Sequence, residues 1–433
     1  VLSYEFKVNP KSQQLTAIDE AIRTSQFVRN KVLRYWMDNR GVGKTEMFRY
    51  NTLLRKEFKF VEDLNSHACQ TAVERVLKAV NRFYDNCKKQ IPGKKTPLAS
   101  SRETRPTQWL GYPKFKKNTR SVEYKVSGWK LSENRKHITF TDNKGIGTLK
   151  LIGTRDLNFY QLEQIKRVRI VRRADGYYVQ FSVQLDPRDT VKPITPSQKA
   201  VGVDVGIKYF LADSQGNTEP NPQFYRKGEK QLNRLNRQKS NKCKKGNPQS
   251  RNYYKARQRY ARKHLRVSRQ REEFVKRVAL RLIKSNDLVA YEDLNVKSMV
   301  KNRHLAKSIS DAGWSKFRSW LDYFGYKYGK ITIAVAPHHT SQNCSNCGEK
   351  VQKSLSTRTH ICNHCGFVAD RDINAAINIL QKGLGESLAV DGFPGISKVK
   401  NPKGTVGHTG AYKLGEFDPL ASLEQSCEGK IGL

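Results

Sequence analysis

Residues Ser341–Leu380 read SQNCSNCGEKVQKSLSTRTHICNHCGFVADRDINAAINIL. Two CxxC pairs stand in this stretch, Cys344/Cys347 and Cys362/Cys365, with fourteen residues between them. Each pair lets two thiolates grip one ion from a tight turn, and two such knuckles complete a tetrahedron. The spacing C-x2-C-x14-C-x2-C is a zinc spacing, just under the usual range for such ribbons. Gly348 and Gly366 follow the pairs and suit the knuckle turns. Four sulfurs leave the metal no open position, so the expected ion is structural. His360 and His364 lie close by, either as substitutes for a cysteine ligand or, more blandly, as solvated neighbours. Directly after the second pair come Asp370-Arg371-Asp372 and an apolar helical pattern over Ile373–Leu380. Asp372 either caps that helix or carries chemistry.

Working back from this stretch, Lys330–Ala336 reads as a strand closed by Pro337, and Ser310–Tyr328 as a helix. In that helix Trp314, Phe317, Trp320, Leu321 and Phe324 form an apolar stripe. Leu288–Leu294 (LVAYEDL) is a short buried strand ending at Glu292 and Asp293. Residues Arg226–Lys284 hold 22 Lys/Arg against 3 Glu, with sparse apolar positions. They read as long basic helices, interrupted near Gly246–Ser250. Such a sign imbalance points to a nucleic-acid groove, for which Arg257, Arg259, Arg262 and Lys263 are candidates. Ala200–Asp213 (AVGVDVGIKYFLAD) starts a β-hairpin. Val201, Val203 and Val205 point one way; Gly202, Asp204 and Gly206 point the other. Flanking glycines let something bulky approach the Asp204 face.

Asp204 in a hydrophobic strand is costly unless paired or metal-bound. Glu292 at a strand end and Asp372 at a helix start each have bland explanations. The order strand-Asp, strand-Glu, helix-Asp is specific in combination. Three such carboxylates suit two Mg2+ ions, about 4 Å apart, flanking a phosphodiester. Asp293 and Asp370 are spare carboxylates.

The N-terminal half begins with Leu2–Val8 (LSYEFKV), a short strand, and becomes helical from about Ser12 to Asn86. GVGKTE (Gly41–Glu46) mimics a phosphate-binding loop, but position 38 is Asp where that motif needs Gly, and no strand precedes it. Lys88–Lys117 is rich in Lys, Pro, Gly and Ser. Within it, Tyr112, Lys114, Phe115, Lys116 and Lys117 could stack on bases and hold phosphates, or form a solvated loop with an anchoring Phe. Residues 121–186 read as strands (SVEYKVSG, HITFTD, GTLKLIG, KRVRIVRR, YYVQFSVQL) making a small antiparallel barrel. Arg167 and Arg169 alternate with Val168 and Ile170 and give it a basic face. Asp186–Ser197, with three prolines, reads as a domain boundary.

The chain's 433 residues carry a formal net charge of +42. Self-repulsion of that size stabilises no fold, so the expected partner is polyanionic, with salt-sensitive affinity. No run of 18 apolar residues reads as a transmembrane helix, and VLSYEFKVNPKSQQ has no signal-peptide core. Four of eight cysteines lie outside the CxxC pairs and are scattered, which argues against a disulfide framework and fits a reducing cytoplasm; the expected localisation is cytoplasmic and nucleoid-associated.

GVDVGIK, YEDL, TSQNCSNCG, CNHCG and DRDINAAINI, in that order, resemble the TnpB family, transposon-encoded relatives of type V CRISPR effectors. KNRHLAKSISDAGWSKF and GYPKFKK are similar to further family segments. The likeness runs from the first strand to about Leu384. It implies a multidomain α+β chain: an RNase H-like (RuvC-type) nuclease domain at 198–340 and 369–384, with a zinc ribbon at 341–368. It implies an N-terminal wedge β-barrel at 1–10 and 111–190, interrupted by a helical recognition insertion at 11–110; residues 385–433 would be a disordered tail. The resemblance also implies RNA-guided cleavage of double-stranded DNA next to a short flanking motif, with Asp204, Glu292 and Asp372 catalytic and a guide RNA as partner. Alternatives are an RNA-guided repressor, a strand-transferring transposase and a miniature type V CRISPR effector.

Overall fold

The computed structural model describes residues 1–39, 41–89, 111–244, 246–354 and 357–388, which form two compact units divided between Leu185 and Asp186. The part of the insertion at 90–110 and the expected tail from 389 onward lie outside the described residues. No helix among the described residues is long and apolar enough to cross a membrane.

The first unit opens with β1 (Leu2–Val8), whose alternating residues bury Leu2, Tyr4, Phe6 and Val8. Helices α1 (Ser12–Asp38), α2 (Lys44–Glu57), α3 (Lys59–Glu62) and α4 (Ser66–Lys88) follow. GKTE proves to be a helix start. The Gly43 N–H donates to the Glu46 carboxylate at 3.0 Å, and α1 rather than a strand precedes it. The chain then returns as β2 (Ser121–Tyr124), β3 (Trp129–Leu131), β4 (His137–Phe140), β5 (Thr148–Ile152), β6 (Ile165–Arg173) and β7 (Gly176–Val183). These join β1 in an antiparallel sheet of order β2-β6-β7-β1-β5-β4-β3. β3 escapes a sequence reading because three residues give no alternation to count.

The second unit is built on a five-stranded sheet: β8 (Ala200–Val205), β9 (Tyr209–Asp213), β10 (Thr218–Pro220), β11 (Leu288–Glu292) and β12 (Ile331–Val335), in the order β10-β9-β8-β11-β12. β8, β9 and β10 are antiparallel neighbours, while β11 runs parallel to both β8 and β12. Between β10 and β11 lie the basic helices α5 (Phe224–Ser240) and α6 (Arg251–Ser285). Between β11 and β12 lie α7 (Val296–Met299), α8 (Ala306–Ala312) and α9 (Trp314–Tyr328). The single helix expected over Ser310–Tyr328 is divided, because Gly313 takes a left-handed backbone (φ 76°) that ends α8.

One face of the sheet packs Val201, Val203, Val289 and Tyr291 against Val278 and Leu282 of α6 and Phe317 and Leu321 of α9. The other face is covered by α10 (Arg371–Leu388), which brings Ile379 and Leu380 onto Leu288, Ala290 and Val335. The expected bulky visitor at the Asp204 face is therefore α10 of the same chain. A Cβ on Gly202 would lie 2.1 Å from the Ala376 carbonyl oxygen, and one on Gly383 would lie 2.6 Å from Ala290 Cβ. Before α10 comes a small two-stranded ribbon of β13 (Thr359–Ile361) and β14 (Val368–Asp370).

Candidate active site

Strand register brings the first two carboxylates together. Val203 pairs with Tyr291 across the parallel β8/β11 ladder, so Asp204 and Glu292, one residue further on, stand side by side on the α10 face. Docking of α10 adds the third: Asp372 Oδ2 lies 3.9 Å from where a Gly206 Cβ would stand. The electrostatics record the convergence. Asp204 is pushed well above the usual carboxylate range, by burial first and then by the negative charges of Glu292 and Asp372. The Arg371 charge and a hydrogen bond with the Val205 backbone only partly oppose this. Glu292 is also raised by burial, against the Thr340 hydroxyl and the Lys382 charge. Carboxylates held together in this way could serve as hard-oxygen donors to a divalent cation.

Asp372 does not cap its helix through its own side chain. Its backbone N–H is taken by Asp370 Oδ1 at 2.8 Å, so Asp370 does the capping and the buried Asp372 carboxylate is left for other work. Arg371 donates to Asp372 Oδ1 at 3.0 and 3.1 Å, and Arg358 approaches Oδ2 at 3.6 Å. Asp293 is exposed and ion-paired with Arg318. A cleft of about 440 Å³ opens beside Glu292, lined among others by Val205, Lys297, Trp314 and Arg318.

The four CxxC cysteines meet. Their sulfurs all lie within 4.8 Å of one another, with Cys344–Cys365 at 3.7 Å and Cys347–Cys362 at 3.6 Å. A disulfide would need about 2 Å. Sulfurs placed tetrahedrally about 2.3 Å from one zinc stand about 3.8 Å apart, so the cluster could hold a zinc ion. His360 is fully buried but is not a ligand in this set; Lys353 donates to its Nδ1. His364 is exposed.

A further group escaped the sequence reading. Asn374, Asn378 and Gln381 form one polar stripe down α10 and fasten the first knuckle. Asn374 accepts from the Ser345 N–H at 2.9 Å and donates to the Asn343 carbonyl at 2.8 Å. Asn378 donates to the carbonyls of Thr340 and Asn343, both at 2.8 Å, and Gln381 to that of Ser345 at 3.0 Å. The signal was present for two of them: the amides Asn374 and Asn378, at i and i+4 among apolar residues, need buried partners. Thr340, Arg371 and Arg358 carried no comparable signal.

The candidate nucleic-acid contacts divide. Arg167 and Arg169 do not form a free basic face. Arg167 bonds Glu123 at 2.8 Å and Glu74 at 2.9 Å, and Arg169 bonds Glu123 at 2.7 Å. Burial would raise the Glu123 carboxyl, but Arg169, Arg75 and Arg167 override it and hold it well below the usual range. Tyr112 packs on Phe83 and Trp36 while remaining 40% exposed. The loop after it is tied to α1, Arg29 reaching the Lys114 carbonyl and Asn30 that of Lys116, which leaves the side chains of Lys114, Phe115, Lys116 and Lys117 exposed. On α6, Arg259 and Arg262 are exposed, Arg257 and Lys263 half-buried.

Comparison with known proteins gives a consistent picture. The family described as "Probable transposase" matches residues 180–303, and "Cas12f1-like, TNB domain" matches residues 314–379. A "Putative RNA-guided DNA endonuclease" of Streptomyces pristinaespiralis is 29% identical over 400 residues, covering 90% of this chain and 91% of the relative. "Putative RNA-guided DNA endonuclease InsQ" of Escherichia coli (strain K12) is 26% identical over 406 residues, covering 88% and 92%. A "TnpB-like protein L79" of Acanthamoeba polyphaga mimivirus is 33% identical over 127 residues, 28% of this chain and 24% of that one. Among solved structures, "Cryo-EM structure of the Cas12f1-sgRNA-target DNA complex" aligns at a TM-score of 0.49 with 15% identity, over 85% of this chain and 82% of that chain. Two family models match in succession between residues 180 and 379 and two relatives align over nearly their whole length, so the chain is similar to the TnpB family.

Proposed function

We propose that this chain is an RNA-guided DNA endonuclease of a transposon, cutting DNA by metal-assisted phosphodiester hydrolysis. The observation that carries the reading is the convergence of Asp204, Glu292 and Asp372 on one face of the β8/β11 pair. The names of the long-aligned relatives point the same way. The strand order β10-β9-β8-β11-β12, three antiparallel strands followed by two parallel additions, supports an RNase H-like (RuvC-type) assignment for 198–340 with 369–384. Residues 341–368 are then its zinc ribbon with one structural Zn2+, 1–10 with 111–190 a wedge barrel, and 11–110 a recognition insertion.

The three carboxylates would hold two divalent cations, Mg2+ by the hardness of the donors. When bound, such ions supply a hydroxide nucleophile at neutral pH and stabilise the leaving oxygen. The chain's residues do the rest. β8 and β11 fix Asp204 and Glu292 as neighbours, and the docked α10 presents Asp372 without tying it up as a cap. Arg371 and Arg358 offset the charge of Asp372, which would otherwise add to that of Asp204 and Glu292. The cleft beside Glu292 has Lys297 and Arg318 on its wall, and of the three carboxylates only Glu292 lines it. Exposed cations of α6 and the Tyr112–Lys117 loop would hold backbone phosphates of guide or target.

The test is to purify the chain with the RNA that accompanies it, sequence that RNA, and supply DNA matching its guide portion. Mg2+-dependent cut ends are expected from the native chain, and none from Asp204→Ala, which still binds the RNA. Undiminished cutting by that variant would falsify the assignment of the site; joined rather than cut products would identify a strand transferase.

A further inference from the structure

We infer that Thr340 is a positioning residue for Glu292, and that Asn378 fixes Thr340 so that the cysteine knuckle and the acidic site are mechanically linked. This rests on the reading of Glu292 as a metal ligand. The hydrogen bonds form one continuous path. The Thr340 hydroxyl donates to Glu292 Oε1. The Thr340 carbonyl accepts from Asn378 Nδ2 at 2.8 Å, and the same Nδ2 reaches the Asn343 carbonyl at 2.8 Å. Asn343 immediately precedes Cys344, and its carbonyl is also held by Asn374 at 2.8 Å. Thr340 is 3% exposed, Asn378 7% and Asn374 0%, so water does not compete for these bonds.

The chemistry gives each bond a purpose. A glutamate at a strand end has three rotatable side-chain bonds and no fixed carboxylate plane. A donor on one oxygen fixes the plane and leaves the other oxygen, with its lone pairs, for a cation. Ligating carboxylates are held this way by outer partners, whose loss costs about 10- to 100-fold in metal affinity or activity. Thr340 is suited to the task because its backbone is itself clamped by α10, the helix that presents Asp372. Two of the three carboxylates are therefore oriented from one element, and that element is fastened to the knuckle that would hold zinc.

The experiment uses the full chain, zinc-loaded and with its bound RNA, and Mn2+ as probe. Mn2+ affinity is read by titration, and cleavage is followed against metal concentration. Thr340→Val keeps shape and removes the hydroxyl. It is expected to weaken Mn2+ binding by about 10- to 100-fold, to raise the metal concentration for half-maximal cleavage by a similar factor, and to leave zinc content unchanged. Thr340→Ser is expected to restore both. Native Mn2+ affinity in Thr340→Val overturns the inference. Glu292→Gln separates it from the reading beneath it: if that variant too binds Mn2+ at full strength, Glu292 is no ligand and the metal site itself is misassigned. Should Thr340→Val lose zinc or fail to fold, Asn378→Leu releases Thr340 from the helix instead. A weakened Mn2+ affinity there supports the inference, and an unchanged one overturns it.

Discussion

The cysteine cluster and the acidic trio adjoin in sequence only at Asp372, seven residues after Cys365, and they are organised in opposite ways. The four thiolates come from two knuckles of a single ribbon and close on one point, with sulfurs 3.6 and 3.7 Å apart across the set. The three carboxylates come from two strands and a helix that are far apart in sequence. They do not close on one point: among the described residues, the cysteines form the only set of three or more candidate ligands gathered within 4.8 Å. A closed set satisfies one ion and leaves no room for substrate. In the open set two members are raised by burial, Asp204 also by its neighbours' charge, and a bound cation would relieve that repulsion. On the proposed reading, the knuckle serves folding and the trio turnover.

The sharpest separation is expected in cleavage. Asp372→Asn should lower metal-dependent cutting by at least about 10³-fold, the scale of several kcal/mol lost from a metal-assisted step, while zinc stoichiometry measured by metal analysis stays at one per chain. Loss of zinc in that variant would erase the distinction between the two sites.

Cys344→Ser addresses the other side. Structural zinc contributes about 10–16 kcal/mol of apparent binding in small domains, so a ligand set reduced to three should release the ion and lower the melting temperature. Because Asn374 and Asn378 carry the knuckle on α10, cutting should fall as well. Full zinc retention after this change would mean that the cluster is not the closed tetrahedron its geometry describes.

Gly202→Ala probes the joint between the two. The added Cβ meets a backbone carbonyl at 2.1 Å, so α10 must move. Overpacking of this kind costs about 1–3 kcal/mol. Thermal unfolding should register that loss, and cutting should fall with zinc content intact. A native melting temperature would show that α10 is not seated on β8 as closely as described.

The smallest effect is in pH dependence without divalent metal. A carboxyl raised by burial and by its neighbours' charge destabilises the fold only where the unfolded chain would already have ionised it. Asp204→Asn should therefore stabilise the metal-free protein at neutral pH, and the gain should vanish as pH falls to the ordinary carboxyl value near 4. Denaturation followed across that range checks it. A gain that persists in acid would place the cause in packing and not in charge.

Local pattern carried much of this. Alternation in AVGVDVG separated a core face from an Asp204 face, and the structure keeps that separation. The break between α5 and α6 falls at 241–250, around the Gly-Asn-Pro run. What failed was whatever depended on a distant partner. Arg167 and Arg169 alternate correctly on β6, but nothing in KRVRIVRR reveals that Glu123 on β2 stands opposite, since strand pairing is set by the whole sheet. Gly313 shows the local limit. An apolar stripe continues across it, yet a residue without a side chain can turn left-handed and end the helix.

Taken alone, the sequence singled out the four cysteines of the knuckle, the order of three acidic residues and the charge that calls for a polyanion. Composition, local pattern and order along the chain suffice for those, because none of them depends on which element packs against which. Only the tertiary structure decided that α10 fills the Asp204 face, that Asp370 frees Asp372 from capping, and that Thr340 reaches Glu292. Those are contacts between elements whose register is fixed by burial of the two sheet faces, and no segment of the chain contains that register by itself.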